Sequence, residues 1–364
     1  MKLKPYIADL PEKIKRRFIL FRKTPAFTGF MLVCAILILN IIIQGPKSFF
    51  SLKNLNTLFS KNAPFIIVTL AQSLLLICGV LNISVGVTIA LVNVVAIMGH
   101  EAWGLPIAVS WTLAVLVAVA MSAVMGVFVS GFGLPGMLAG YALILITKGM
   151  AVLIMPVPQG TVPKSIYGTY DSIVLGILPF SSLIIAAVFA AWLIIKRMRF
   201  GKHIYAVGIN PRNAYAAGIN PFKVQMQSYL ISGVFIGIAG LALTSMTASG
   251  NPLQAEEYGI RSLSACIIGG LGFGGWGSMA CGLFGSMFMV LINNTVYYFF
   301  TFLYKMIPGF QASSYWQNFV SDLIILLSLL MTIVTARAQR ETLKQGVTQL
   351  IRKDKGYGRQ RQPG

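Results

Sequence analysis

The sequence predicts an all-α polytopic membrane protein with about ten transmembrane helices, some of them broken or re-entrant. Of its 364 residues, 56% are hydrophobic and only 10% are charged, against about 25% charged in soluble domains. Several apolar stretches reach or approach the ~18–20 residues that cross the hydrocarbon core of a bilayer. These runs are continuous rather than alternating, which argues against a β-barrel. Membrane helices pack laterally, so one transmembrane domain is expected over 26–336, between a basic arm at 1–25 and a basic tail at 337–364.

The first span is expected near 27–44, closed by Gly45-Pro46. Residues 46–63 are polar, with Lys47, Lys53 and Lys61, and are expected to lie along the outer surface. Spans at 64–80 and 84–98 are separated only by Leu81-Asn82-Ile83. A fourth follows at 106–130 and a fifth at 136–155, then a Pro-, Gly- and Tyr-rich segment at 156–178 and a sixth span at 179–195. A long loop occupies 196–224. The seventh span is placed at 226–246, a short Gly-broken eighth at 259–275, and the last two at 278–300 and 317–336.

Charge orients this series. Eight Lys or Arg lie in 1–23, six in 196–223 and eight in 337–361, together 22 of the 29. Cytoplasmic loops retain positive charge, so both termini and the 196–224 loop are expected in the cytoplasm, where anionic lipid is a partner. With ten spans, the opposite loops carry Glu101, Asp171, Glu256 and Glu257. The +20 net charge is therefore read as topology, not as a nucleic-acid surface.

Chemistry-bearing clusters are sparse. Cys34, Cys78, Cys266 and Cys281 lie in apolar stretches, and with His100 and His203 they show no metal-ligand spacing. There is no P-loop, no Ser-His-Asp spacing and no paired-acid site within the spans. An enzyme is not expected, and any ATP and Mg would be held by another chain. Gly270, Gly272 and Gly275 have dinucleotide-loop spacing, as do Gly131, Gly133 and Gly136, but neither set sits in a βαβ unit. Close packing or a re-entrant turn is the expected use. Gly233, Gly237 and Gly240, and Gly282 and Gly285, read as helix-packing faces.

Polar groups at membrane depth offer two readings. Asn82-Ile83-Ser84-Val85-Gly86 is either a broken hairpin on a solute path or a tight turn. Gln72, Asn93, Lys148, Asn293, Asn294 and Asp322 either hydrogen bond between helices or contact solute. Lys148 and Asp322 lie near span ends, where snorkelling or an interfacial position also fits.

Read in order, several segments resemble the permease subunits of bacterial ribose-type ABC importers. Asn82 to Gly86 resembles a D-L-S-V-G element, and Gly201 to Asn210 a G-R-x-x-Y-A-I-G-x-N element. Ala214 to Asn220 resembles A-x-x-x-G-I-N, and Ser232-Gly233 through Ala239-Gly240-Leu241-Ala242 resembles S-G-x-x-A-G-L-A-G. Ile267 to Gly270 with Gly274 to Ser278 resembles I-G-G-x-x-x-x-G-G-x-G-S, and Asn293-Asn294 the late N-N pair. The likeness covers about 55–335.

This resemblance implies a type II-like ABC importer permease in the bacterial cytoplasmic membrane, with no cofactor of its own. It implies an ATP-binding subunit, an extracytoplasmic solute-binding protein and a second permease copy or paralogue as partners, and a monosaccharide-like solute. It makes Asn210, Pro211, Arg212, Asn213, Ala214, Ala217, Gly218, Ile219 and Asn220 the ATPase-coupling segment. Local chemistry agrees, since Asn210 can cap a helix, Pro211 can open it and Gly218 can end it. Gln72, Asn82, Ser84, Asn93, Asn293 and Asn294 become pathway candidates, and Lys164, Asp171, Glu256 and Glu257 docking candidates for the binding protein.

Departures from the family pattern point to altered solute or gating chemistry. Asn82 replaces an acid, Arg261 stands where many members carry one, and Leu134 to Gly140 replaces P-F-I-x-T-L-G. Two other functions are weighed. A secondary carrier would need intramembrane acids for ion coupling, of which Asp322 is almost the sole example. A membrane enzyme acting on lipid-linked sugar would need catalytic acids at one interface, and Glu256-Glu257 is the one adjacent pair.

Overall fold

A computed structural model describes residues 24–306 and 314–335, apart from Leu175 and Ile177. The basic arm and tail fall outside the described residues except for Thr24 and Pro25. The chain is helical almost throughout: α1 (Ala26–Gln44), α2 (Pro46–Phe49), α3 (Leu52–Ile77), α4 (Val85–Glu101), α5 (Ile107–Gly126), α6 (Gly136–Ile154) and α7 (Lys164–Tyr170). A two-stranded antiparallel hairpin, β1 (Ile173–Val174) and β2 (Leu178–Pro179), leads into α8 (Phe180–Arg197). Then come α9 (Arg199–Ile209), α10 (Pro211–Ala216), α11 (Pro221–Thr247), α12 (Tyr258–Ile268), α13 (Met279–Met306) and α14 (Ser314–Thr335).

Each of the ten expected apolar segments is a helix. Seven of the helices are long and apolar enough to cross a membrane, whereas α4 has 17 residues and α12 only 11. The helix α12 stops at Ile268 rather than continuing to 275. Gly270, Gly274, Gly275 and Gly277 all adopt positive φ there, so the chain leaves the helix as a glycine loop.

The central post is α3, flanked by α11, α13, α8 and α12, while α1 packs outside on α13 and α6 on α4. In α3, 89% of the membrane-length window is buried, against 22% in α1 and α8; this places α3 inside the bundle. The glycine faces explain how close the helices come. In α11, Gly233 meets Val119 and Ser122, Gly237 meets Val115, and Gly240 meets Val92. In α13, Gly282 faces Ser73 and Gly285 faces Ala265. Small residues let helix backbones approach where apolar lipid gives little other drive to associate.

The polar stretch 46–63 departs from the expectation of a surface segment. Only α2 is separate. Ser51 accepts the Asn54 N–H at 3.3 Å and starts α3 at Leu52, so two polar turns belong to the same 26-residue helix. Its polar side chains find partners. Asn56 donates to the Asp171 carbonyl at 2.7 Å, and Ser60 lies 3.4 Å from Ser181. Pro64 sits inside α3 and has no N–H to give the Ser60 carbonyl. The Tyr170 hydroxyl donates to that carbonyl instead, at 2.7 Å, fastening α7 to the post.

Candidate functional site

Two features toward opposite ends of α3 dominate, the lining residues 53–62 of one lying about 22–36 Å from Ile77 at the other by helix rise. Near its N-terminal end, a cavity of about 470 Å³ opens between α3 and the second half of α13. Helix α3 lines it with Lys53, Asn54, Thr57, Leu58, Lys61 and Asn62. Helix α13 answers with Val290, Asn293, Asn294, Tyr297 and Tyr298. Steps of three and four residues put each set on one helix face. Among the described residues, no carboxylate lines the cavity. The Tyr298 hydroxyl reaches Asn54 Oδ1 at 3.4 Å, and the Asn294 Nδ2 is buried with no hydrogen-bond partner among the described residues.

A smaller cavity of about 90 Å³ shares Asn62, Val290 and Asn293 and is walled by Arg261. Arg261 donates to Glu257 Oε1 at 3.1 Å and to Asp322 Oδ1 at 2.8 Å, tying α12 to α14.

At the other end of α3, three chain segments meet backbone to backbone. The last carbonyls of α3 have no partner within the helix; Leu76 O and Ile77 O accept the Gly274 and Gly275 N–H groups at 3.1 and 2.9 Å. Gly208, near the end of α9, packs into the same place. A Cβ on Gly208 would collide with the Ile77 carbonyl oxygen and lie 2.8 Å from Gly275 N. The glycine loop runs on into α13 at Met279, so one residue of α9 touches the end of α3 and the loop that leads into α13, the two helices that frame the cavity. Lys196 lies 5.9 Å from the Tyr205 ring centroid on the same α9. Burial pushes the Tyr205 phenol up to about 12.

From this junction α10 projects. Asn210 Oδ1 accepts the Arg212 and Asn213 N–H groups at 3.0 and 3.1 Å, Pro211 takes the first helical position, and Gly218 closes the turn at φ +80°. Gly218 N–H bonds to the Tyr215 carbonyl and Ile219 N–H to the Ala214 carbonyl, the closed end that a left-handed glycine permits. The helix ends at Ala216, so Ala217, Gly218 and Ile219 form its exit turn. Asn220 then caps α11 through the Lys223 N–H at 3.2 Å. Ala214 is buried, while Arg212, Asn213, Tyr215, Ala217 and Gly218 are exposed.

Of the six pathway candidates, Asn293 and Asn294 line the cavity. Asn82 Oδ1 instead accepts from Ser84 N–H at 3.0 Å and from its hydroxyl at 2.6 Å, holding the turn before α4. Asn93 Nδ2 donates to Thr244 Oγ1 at 3.0 Å and to the Ser249 carbonyl at 3.1 Å, while its Oδ1 accepts Asn251 N–H at 2.8 Å. Gln72 is fully buried in α3, its amide without a hydrogen-bond partner among the described residues.

The docking candidates divide. Lys164 and Asp171 bracket α7, with Asn56 donating to Asp171 Oδ1 at 3.1 Å. Glu256 pairs with Lys148 at 2.8 Å and Glu257 with Arg261. The segments that carry them nevertheless touch: Gln159 and Gly250 exchange N–H···O bonds of 3.2 and 3.0 Å, and Val162 N–H bonds to the Ala248 carbonyl at 3.1 Å. Among the described residues, no group of three or more His, Cys, Asp or Glu is placed to hold a metal.

Sequence reasoning missed Lys53, Asn54, Lys61, Asn62, Tyr297 and Tyr298 as cavity residues. For the α3 residues the signal was a polar stripe at steps of three and four within the 46–63 stretch.

A family model described as "Branched-chain amino acid transport system / permease component" matches residues 54–329. The ribose import permease protein RbsC of Escherichia coli (strain K12) is 27% identical over 309 residues, covering 82% of this chain and 92% of RbsC. The D-allose transport system permease protein AlsC of the same strain is 27% identical over 276 residues, covering 73% and 82%. The xylose transport system permease protein XylH, also from that strain, is 29% identical over 169 residues, covering 46% and 39%. No solved structure shows a significant match.

Proposed function

The chain belongs to the family of branched-chain amino acid transport system permease components, and from that premise we propose that it is the membrane-spanning permease subunit of an ATP-driven importer for a monosaccharide-like solute. It has no ATPase of its own; the ATP and Mg belong to a partner subunit. The basic loop and both termini face the cytoplasm, in keeping with the positive-inside bias. An extracytoplasmic binding protein delivers solute to the opposite face, around the paired segments at Gln159 and Gly250. A second permease copy or a paralogue completes the pathway.

The observation that carries this reading is the contact of Gly208 with the end of α3 and with the glycine loop that leads into α13. The exposed residues of α10 are the surface offered to the ATPase, with Asn210 to Asn220 as the coupling segment. Nucleotide-driven movement of α10 passes to α9, which is joined to it through the single residue Asn210. At Gly208 no side chain intervenes to absorb the displacement. Carbonyl and amide meet directly, so α3 and the glycine loop before α13 move with α9. Those helices frame the polar cavity further along their length, and a small tilt at the junction changes the cavity's width. Packed interfaces favour such discrete rearrangements over continuous deformation.

The test is reconstitution of the chain with its ATP-binding and solute-binding partners in liposomes. Uptake of labelled ribose, allose or xylose should need ATP and the binding protein together. Uptake that proceeds with a solute gradient alone would favour a stand-alone carrier and contradict the proposal.

A further inference from the structure

The cavity between α3 and α13 has a charge that a site for a neutral sugar does not need. Lys53 and Lys61 both line it, no carboxylate does, and neither lysine forms an ion pair among the described residues. The remaining polar lining consists of amides, phenols and hydroxyls, each able to donate and accept. The Asn294 Nδ2 has an N–H pair that no group among the described residues accepts, and leaving a buried donor unsatisfied is costly. At about 470 Å³ the space is of small-molecule size. Arg261, in the wall of the adjoining smaller cavity, already holds two carboxylates. The excess positive charge therefore comes from Lys53 and Lys61.

We propose that this cavity receives a polyhydroxylated solute bearing a negative charge, of the sugar-acid or sugar-phosphate class. Resting on the importer reading above, the proposal sharpens its solute from monosaccharide-like to anionic. Asn62, Asn293 and Asn294 bond the hydroxyls, and Tyr298 closes one wall. Lys53 and Lys61 hold the carboxylate or phosphate as point charges. The two lysines are eight residues apart on α3, about 12 Å along the axis, so an anion can pass from one to the other without leaving the positive lining. The same anionic chemistry exists in a lipid headgroup, because lysines near helix ends also reach toward lipid phosphate.

The full-length chain in nanodiscs of neutral phosphatidylcholine separates these sources. Binding of D-gluconate and D-glucose is measured by calorimetry on the wild type and on the Lys53→Gln/Lys61→Gln and Lys53→Arg/Lys61→Arg variants. Gluconate should bind about tenfold or more tightly than glucose, the scale of one charge-assisted contact. The Gln variant should lose that advantage, binding gluconate no more tightly than glucose, and the Arg variant should keep it. Equal affinities, preference for glucose, absence of gluconate binding, or a Gln variant that still prefers gluconate would overturn the proposal. Retention of added phosphatidylglycerol by the wild type alone, without gluconate binding, would assign the lysines to lipid and overturn it as well.

The importer reading has a separate readout in the reconstituted complex. ATP-dependent uptake of ribose without uptake of gluconate or ribonate leaves the permease assignment standing and removes only the anionic solute.

Discussion

Gly208 of α9 packs its α-carbon against the carbonyl oxygen of Ile77, the last helical residue of α3, with no side chain between the two backbones. A methyl group at 208 would overlap that oxygen and press on Gly275 N at 2.8 Å, while the Gly275 N–H is already donated to Ile77. Gly208→Ala therefore forces the junction apart. Overpacking of this kind costs about 1–3 kcal/mol, and thermal unfolding in detergent should show it. Uptake should fall further than stability if, as proposed, α9 passes movement to α3 and the glycine loop through this contact. A variant with wild-type uptake would show that the contact transmits nothing.

The cap on α10 is a second, milder test. Asn210 satisfies two N–H groups of a six-residue helix, and loss of such a cap costs about 1 kcal/mol. Asn210→Ala should reduce ATP-dependent uptake, whereas Asn210→Asp, which keeps the acceptor, should retain most of it. If the two variants transport equally, the cap does not matter to coupling.

Asn93 ties α4 to the last turn of α11 and to the chain just beyond it through three hydrogen bonds in a fully buried position. Asn93→Leu leaves the Asn251 N–H without its acceptor, at about 1–3 kcal/mol for an orphaned donor, while the Ser249 carbonyl keeps the Thr247 hydroxyl. The expected outcome is a lower unfolding temperature, with residual uptake scaling with the amount of folded protein. Full stability with altered solute preference would instead mark Asn93 as a solute contact.

Lys148 and Glu256 form an ion pair between α6 and the segment before α12, twelve residues or about 18 Å along α6 from Gly136. Lys148→Glu alone places like charges side by side and should lower the yield of folded protein. Adding Glu256→Lys should restore most of it, since residues in contact couple non-additively. Independent effects of the two substitutions would exclude the pairing.

The spans were legible because an apolar run of membrane length has few alternatives to a helix. The ends of α10 were legible for a similar reason: Asn210, Pro211 and Gly218 each have one strong local use. The cavity was not, because half of its wall lies in a stretch whose lysines and asparagines look like a solvated surface. What makes 52–63 part of the bundle is tertiary: Asp171, Ser181 and Tyr170, more than a hundred residues away, supply the partners. Asn82, Ser84 and Asn93 show the converse. Their polarity was visible, but whether an amide faces a neighbouring backbone or a cavity depends on packing that composition does not encode. The glycine loop at 269–277 was legible as a close-packing device, while its partner Gly208 was hidden in an otherwise ordinary amphipathic helix.

Coupling through the segment after α9 is tested most directly by replacing Asn213 to Gly218 with a Gly/Ser segment of equal length. The replaced residues, apart from Ala214, are exposed or lie in the exit turn, so the chain should still insert and unfold near the wild-type temperature. ATP-dependent uptake in liposomes with the partner subunits should be abolished. Uptake at the wild-type rate by that variant would contradict the assignment of this segment as the point where the ATPase drives the permease.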